Sequence, residues 1–212
     1  MITQTKNSII SPESDFTTNE ISRISEIYRA EVNISIWKRQ LSSSLGKSSE
    51  YVVNQNPNLE FSEVLKPKDV KKSLKSAIGS SNETQSFLDD VSYLAFTFCK
   101  LFDQKKMWLR LDGIDHPMCP RFHTDRLKCR LVTTYVGPAT QWIPHHLVNR
   151  SKLGYGNEGK TDNESGLFLS ENDIQQLDNT LIERDILLND IIYQKIKIHI
   201  VELKKHLSSS FL

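Results

Sequence analysis

His123 and Asp125 are the pair of side chains in this chain whose types and spacing point most directly to chemistry. They stand two residues apart, and in an extended strand alternate side chains project from the same face, so an imidazole and a carboxylate would meet one ligand together. Such a face suits a hard or borderline divalent cation. With a third, distant ligand it makes the two-histidine, one-carboxylate triad that leaves coordination positions open for oxygen and substrate, and Fe(II) is the natural occupant. Three other readings compete for the same residues. Asp125 can instead close an ion pair with Arg121 or Arg126 on a solvated strand. Cys119, His123 and Cys129 can hold Zn, although the close Cys-x-x-Cys pairs usual in structural zinc sites are absent. A cysteine nucleophile with His123 or His145 as its base is the last, and nothing in the spacing brings those groups together.

The elements that must position this motif follow from periodicity. Pro117 and Pro120 flank Cys119 and lack amide donors, so the motif enters a strand at an edge. From there Arg121, His123, Asp125, Leu127, Cys129, Leu131, Thr133 and Tyr135 share a face wherever the strand is unbroken. Gly137-Pro138 ends it, and Thr140 to Pro144 begins another, with Trp142 near the mouth of the site. Upstream, Ile21, Ile24, Ile27 and Tyr28 have helical spacing, Val32 to Trp37 alternates as a half-buried strand, and Arg39 to Gly46 is a short polar helix or turn. Asp69 to Ile78 forms an amphipathic helix stopped by Gly79. A second helix from Asn82 to Phe102 carries a wide apolar face whose aromatic residues, Tyr93 and Phe96 included, are a packing surface, with Cys99 a buried inert thiol. Met107 to Leu111 returns to alternation and closes on an Asp112-Gly113 turn.

Residues 151–173, with Gly154, Gly156, Gly159 and Gly166 among small polar residues, form a loop or lid. From Leu167 to Leu212 there is neither glycine nor proline, and Ile174, Leu177, Leu181, Leu188 and Ile191 mark a helical stripe. Ile196, Ile198 and Ile200 alternate instead as a strand would.

Composition narrows the function classes. The chain has 212 residues, with 27 Lys and Arg against 26 Asp and Glu, a formal net charge of +1. That length suits one domain with appended helices, and the balanced charge gives no general attraction to nucleic acid or anionic membrane. No run approaches the ~20 apolar residues of a membrane span. Three cysteines make no disulfide framework and suit a reducing compartment, so the expected location is cytoplasmic. The expected partner is a small-molecule substrate. The organisation expected is a mobile leader over 1–20, a single α+β domain over 21–178, and an atypical helical tail over 179–212.

The string Cys-Pro-Arg-Phe-His-x-Asp-Arg from Cys119, with Arg-Leu-x-x-Thr-Tyr-x-Gly-Pro-x-Thr-x-Trp-Ile-Pro from Arg130, resembles the signature of the bacterial proteins known as domain of unknown function 1826. Ile36-Trp37-Lys38-Arg39 and Leu109-Arg110-Leu111-Asp112 add to the resemblance. The His-x-Asp strand is also similar to that of Fe(II)/2-oxoglutarate dioxygenases. That second likeness implies a cupin-like double-stranded β-helix, partial or complete, with Fe(II) and 2-oxoglutarate as cofactors. It implies His123, Asp125 and a distal histidine, here His199, as metal ligands, and Arg121, Arg130, Tyr135 and Trp142 around the substrate. The family pattern departs near Asp178, where a Leu-Leu-Lys-Gly segment and a Val-His-Arg-Ser-Pro string are expected and absent; His199, His206, Lys204 and Lys205 are what the tail offers in their place. A change of reading frame or divergence accounts for such a tail, and either would impair an oxygenase. The alternative function is a noncatalytic zinc-binding or interaction protein.

Overall fold

The structure, a computed structural model, describes residues 15–30, 32, 34–114, 121–123, 129–137, 143, 147–169 and 195–201, the last as backbone. The described chain mixes helices and strands. Strand β1 (Asp15–Thr18) pairs in parallel with β2 (Ile34–Trp37), and a 3-10 helix over Ile21–Tyr28 connects them. Strand pairing is thus described from Asp15 onward, within the stretch 1–20 expected as a leader.

Helix α1 (Ser43–Gln55) begins at Ser42, whose hydroxyl accepts the Leu45 N–H at 3.2 Å and so satisfies one of the unpaired amides of the first turn. It is longer than the turn expected at 39–46. Gly46 lies inside the first helical turn, and Leu45, Val52 and Val53 are buried at helical intervals. Strand β3 (Glu60–Leu65) follows, then α2 (Val70–Ile78), which Gly79 ends at φ 83°, a left-handed conformation that glycine reaches without steric cost. Helix α3 (Gln85–Leu101) buries Phe87, Leu88, Val91, Leu94, Ala95, Phe98 and Cys99. Tyr93 and Phe96 instead stand 47% and 57% exposed, so the packing stripe is narrower than the run of aromatics suggests.

Strand β4 (Met107–Ile114) runs straight through Asp112-Gly113, which is no turn. The Gly113 N–H donates to Leu59 O at 2.7 Å, and a Cβ at Gly113 would lie 3.2 Å from Pro57 O, so the glycine serves a close backbone approach. Strand β5 (Arg130–Val136) and strand β6 (Lys195–Val201) complete one antiparallel sheet in the order β3-β4-β6-β5. The helical tail is thus corrected over 195–201: this stretch is the strand between β4 and β5. Its register sets Ile198 opposite Leu111 and Thr133, and Ile200 opposite Leu109 and Leu131.

Directly opposed residues share a sheet face. Phe61, Met107, Leu109 and Leu111 point to the helices and are buried with the apolar residues of α1, α2 and α3 in one core. The other face carries Ser62, Val64, Trp108, Arg110, Asp112, Arg130, Val132 and Thr134, with His199 in register between Arg110 and Val132. Among the described residues the sheet is a single layer backed by helices, and closure into a double-stranded β-helix is not part of it.

Candidate functional site

The described residues gather polar side chains at three places. The first is buried between the sheet and α3. Arg39, just beyond β2, sets its Nη1 2.7 Å from Asp90 Oδ1 of α3 and donates from Nη2 to Thr133 Oγ1 at 3.3 Å. The Tyr135 hydroxyl donates to Asp90 Oδ2. The guanidinium also sits 5.3 Å from the Trp37 ring and 5.4 Å from that of Tyr135, and Tyr135 meets Phe87 at 4.9 Å in an edge-on contact. Tyr135 takes the helix face by alternation with Leu131 and Thr133, and a register shift between Thr134 and Val136 marks a bulge beside it, after which Val136 packs on the core as well. Burial opposes the Arg39 charge, but the Asp90 hydrogen bond and the Asp90 carboxylate charge offset it, and the guanidinium pKa is raised. Burial, then the Asp90 charge, push the Tyr135 phenol well above its ordinary range. A phenol held so firmly protonated is a donor that ties β5 to α3; proton abstraction is not open to it.

The second place is the sheet face away from the helices. Arg110 Nε lies 2.7 Å from Asp112 Oδ2, two residues along the same strand, and Asp112 is buried. Burial raises the Asp112 pKa, Arg110 draws it down, and Glu60 across the strand raises it again. Arg130 takes this face by strand alternation, since Leu131 beside it packs against the core. Arg130 and Tyr135, both expected around one substrate, therefore occupy opposite faces of the sheet. The shared odd-numbered face does include Leu131, Thr133 and Tyr135, and it is the face of the helices.

The third place holds the motif itself. Residues 121–123 form no regular strand here, and His123 is exposed. Its Nδ1 lies 3.1 Å from the carbonyl oxygen of Arg121. Arg121 donates from Nη2 to Gly159 O at 3.1 Å, the Phe122 N–H donates to Asp162 Oδ2 at 2.8 Å, and the Phe122 ring meets Phe168 edge-on at 6.0 Å. Within the stretch 151–173, expected as a loop or lid, Gly159, Asp162 and Phe168 thus contact Arg121 and Phe122 of the motif. Asp125, Cys119 and Trp142 lie outside the described residues, as do His116, His145, His146 and His206. Cys129, the described cysteine of the zinc alternative, is half-buried and packs on the core, whereas His123 is exposed. Among the described residues no three His, Cys, Asp or Glu side chains cluster as a metal centre would require.

Against this geometry, a family model described as Protein of unknown function (DUF1826) matches residues 18–182. The chain belongs to that family. No curated protein and no solved structure matches it. The matched span takes in the Arg39–Asp90–Tyr135 cluster and the whole 121–169 region, and it stops short of β6. Sequence reasoning missed Asp90 and Asp162. Asp90 sits among the polar residues of an amphipathic helix and Asp162 among the acidic and amide residues of a loop, so neither carries a local signal that separates it from its solvated neighbours. Among the described residues no helix is long and apolar enough to cross a membrane.

Proposed function

We propose that this chain is a nonhaem Fe(II)-dependent, oxygenase-like protein acting on a small substrate, with His123 and Asp125 as metal ligands and 2-oxoglutarate as the acidic co-substrate. The observation that carries this reading is the 3.1 Å approach of His123 Nδ1 to the Arg121 carbonyl. A carbonyl can only accept, so Nδ1 is the donor in this contact, and in a neutral imidazole Nε2 is then the nitrogen that a metal would take. Metal-ligating histidines characteristically donate their second ring N–H to such an oxygen, which fixes tautomer and ring orientation. His123 thus fits the donor set.

Fe(II) at this centre would supply oxygen activation. The chain's own part would be to hold the imidazole by the Arg121 carbonyl and to pair a guanidinium, Arg130 or Arg121, with the carboxylate of the co-substrate, a bidentate geometry for which arginine is suited. Support for His199 as third ligand is weaker, because Arg110 is its directly opposed neighbour and a guanidinium disfavours a dication nearby. Anaerobic Fe(II) binding by the unmutated chain, by His123→Ala and by His199→Ala tests the reading. Stoichiometric iron lost in His123→Ala is expected; no iron above background in the unmutated chain refutes it. Zinc retained without turnover of 2-oxoglutarate would favour the noncatalytic reading.

A further inference from the structure

We infer that Asp162 is a positioning residue for His123, acting through the single peptide group that joins Arg121 to Phe122. The inference rests on the metal-site reading of His123. That peptide group is engaged at both ends: its N–H donates to Asp162 Oδ2 at 2.8 Å, and its carbonyl oxygen stands 3.1 Å from His123 Nδ1. A trans peptide is planar, with N–H and C=O pointing in opposite directions, so a carboxylate that fixes the N–H also aims the carbonyl. A charged acceptor on the N–H polarises the peptide as well, which makes its oxygen a stronger acceptor for the imidazole proton. Carboxylate, peptide and imidazole form a relay comparable to the carboxylate–histidine pairs beside bound metals, with one amide interposed.

Asp162 is itself held on a fixed turn. Its carbonyl accepts from Ser165 Oγ at 2.9 Å, Ser165 N–H reaches Thr161 O at 2.9 Å, and Thr161 Oγ1 donates to Glu164 at 2.8 Å. The base of the loop is closed by Asn149 N–H to Leu167 O at 2.7 Å, with Leu167 fully buried. Two further tethers, Arg121 to Gly159 and the Phe122–Phe168 ring contact, attach the motif segment to the same loop. The 147–169 loop is a clasp whose chemical purpose is to orient one imidazole.

The test combines Fe(II) titration under anaerobic conditions with amide hydrogen exchange at Phe122 in the metal-free protein, for Asp162→Ala and Asp162→Asn. Asp162→Ala should weaken iron binding by about threefold to tenfold, below or at the low end of the ~10–100-fold range for groups bonded directly to a ligand because one peptide is interposed, and should speed Phe122 exchange with little change in Tm. Asp162→Asn retains a neutral acceptor and should recover much of the affinity. Iron affinity of Asp162→Ala within twofold of the unmutated chain, in a protein whose binding His123→Ala abolishes, overturns the inference and leaves the metal site standing. Absence of iron binding by the unmutated chain instead refutes the metal site and the inference with it.

Discussion

Replacing Asp90 by alanine should be among the most damaging single changes in the described structure, although Asp90 belongs to no motif. Its carboxylate has two partners, the Arg39 guanidinium and the Tyr135 hydroxyl, and the Arg39 and Asp90 side chains are only 14% and 15% exposed. Truncation leaves a guanidinium half-sandwiched between the Trp37 and Tyr135 rings with its charge unmatched, and a buried phenol without its acceptor. Breaking a fully buried ion pair from one side costs about 3–5 kcal/mol. The residual exposure lets water reach the guanidinium, so about 3 kcal/mol is expected for Asp90→Ala. Tyr135→Phe removes one hydrogen bond to a charged acceptor and keeps the ring contact with Phe87, which sets its cost near ~1.5 kcal/mol. Because both changes remove the same bond, the Tyr135→Phe cost should almost vanish in the Asp90→Ala background. Urea unfolding followed by tryptophan fluorescence measures the unmutated chain, the two single variants and the double variant, with Trp37 inside the cluster as a reporter. A loss below ~1 kcal/mol for Asp90→Ala, or an undiminished Tyr135→Phe cost in the double variant, would refute the assignment of this cluster as the tie between β5 and α3.

The same cluster carries a pH signature. The Tyr135 pKa is raised in the folded state, chiefly by burial and then by the Asp90 charge. Folding therefore favours the protonated phenol. Its contribution is whole below the unfolded pKa of about 10 and is lost as pH climbs from there through the higher folded value. Alkaline titration by phenolate absorbance should leave Tyr135 protonated after the exposed tyrosines have ionised, until the chain unfolds, and Tyr135→Phe should remove that late component.

Two further outcomes are expected. Cys99 is buried against Met107, with burial pushing its thiol up to about 11, so it should resist a thiol reagent at pH 8 until denaturant is added, while half-buried Cys129 reacts sooner; prompt modification of Cys99 in the native chain would contradict this packing. Ile198→Asp sets a charge opposite fully buried Leu111 and should lower Tm strongly, whereas Lys197→Gln, opposite Asp112 on the other face, should cost far less; equal effects, or fast amide exchange throughout 195–201, would exclude β6 from the sheet.

Local periodicity made α2 and α3 legible almost to the residue, because both have strong apolar stripes and α2 has glycine at its end. Helix α1 was hidden by composition: its serines and Gly46 resemble a turn, yet Ser48 works as a buried connector that accepts the Phe87 N–H at 3.1 Å, a bond to a residue far along the chain. Gly113 failed for the related reason that Asp-Gly is a turn signal only when the chain reverses there; here the glycine answers to the backbone of Pro57 packed above it. The site was legible in part. His123 and the aromatic–glycine run after Arg130 stood out as types, and alternation alone puts Arg130 and Tyr135 on opposite faces of β5; what alternation leaves open is which face meets the helices, and that is settled by the packing of Leu131 and Tyr135 on the core.

The tail shows how two valid signals can conflict and which one carries. The absence of glycine and proline after Leu167 is evidence only that nothing interrupts the chain, and it holds for a strand as well as for a helix. Lys-Ile-Lys-Ile-His-Ile-Val, in contrast, has a period of two, and β-branched residues at every second position fit a pleated surface. Its isoleucines register on the core face between Leu109, Leu111 and the residues of β5, where a helix could not satisfy the facing edges of β4 and β5. A strand in that slot pairs with both neighbours at once and joins the ladder carrying Arg110–Asp112 to the one carrying Arg130. The segment beyond the family match at 182 therefore closes the very sheet whose outer face holds the charged residues, and any loss of β6 should separate Arg110 from Arg130 before it disturbs the helical core.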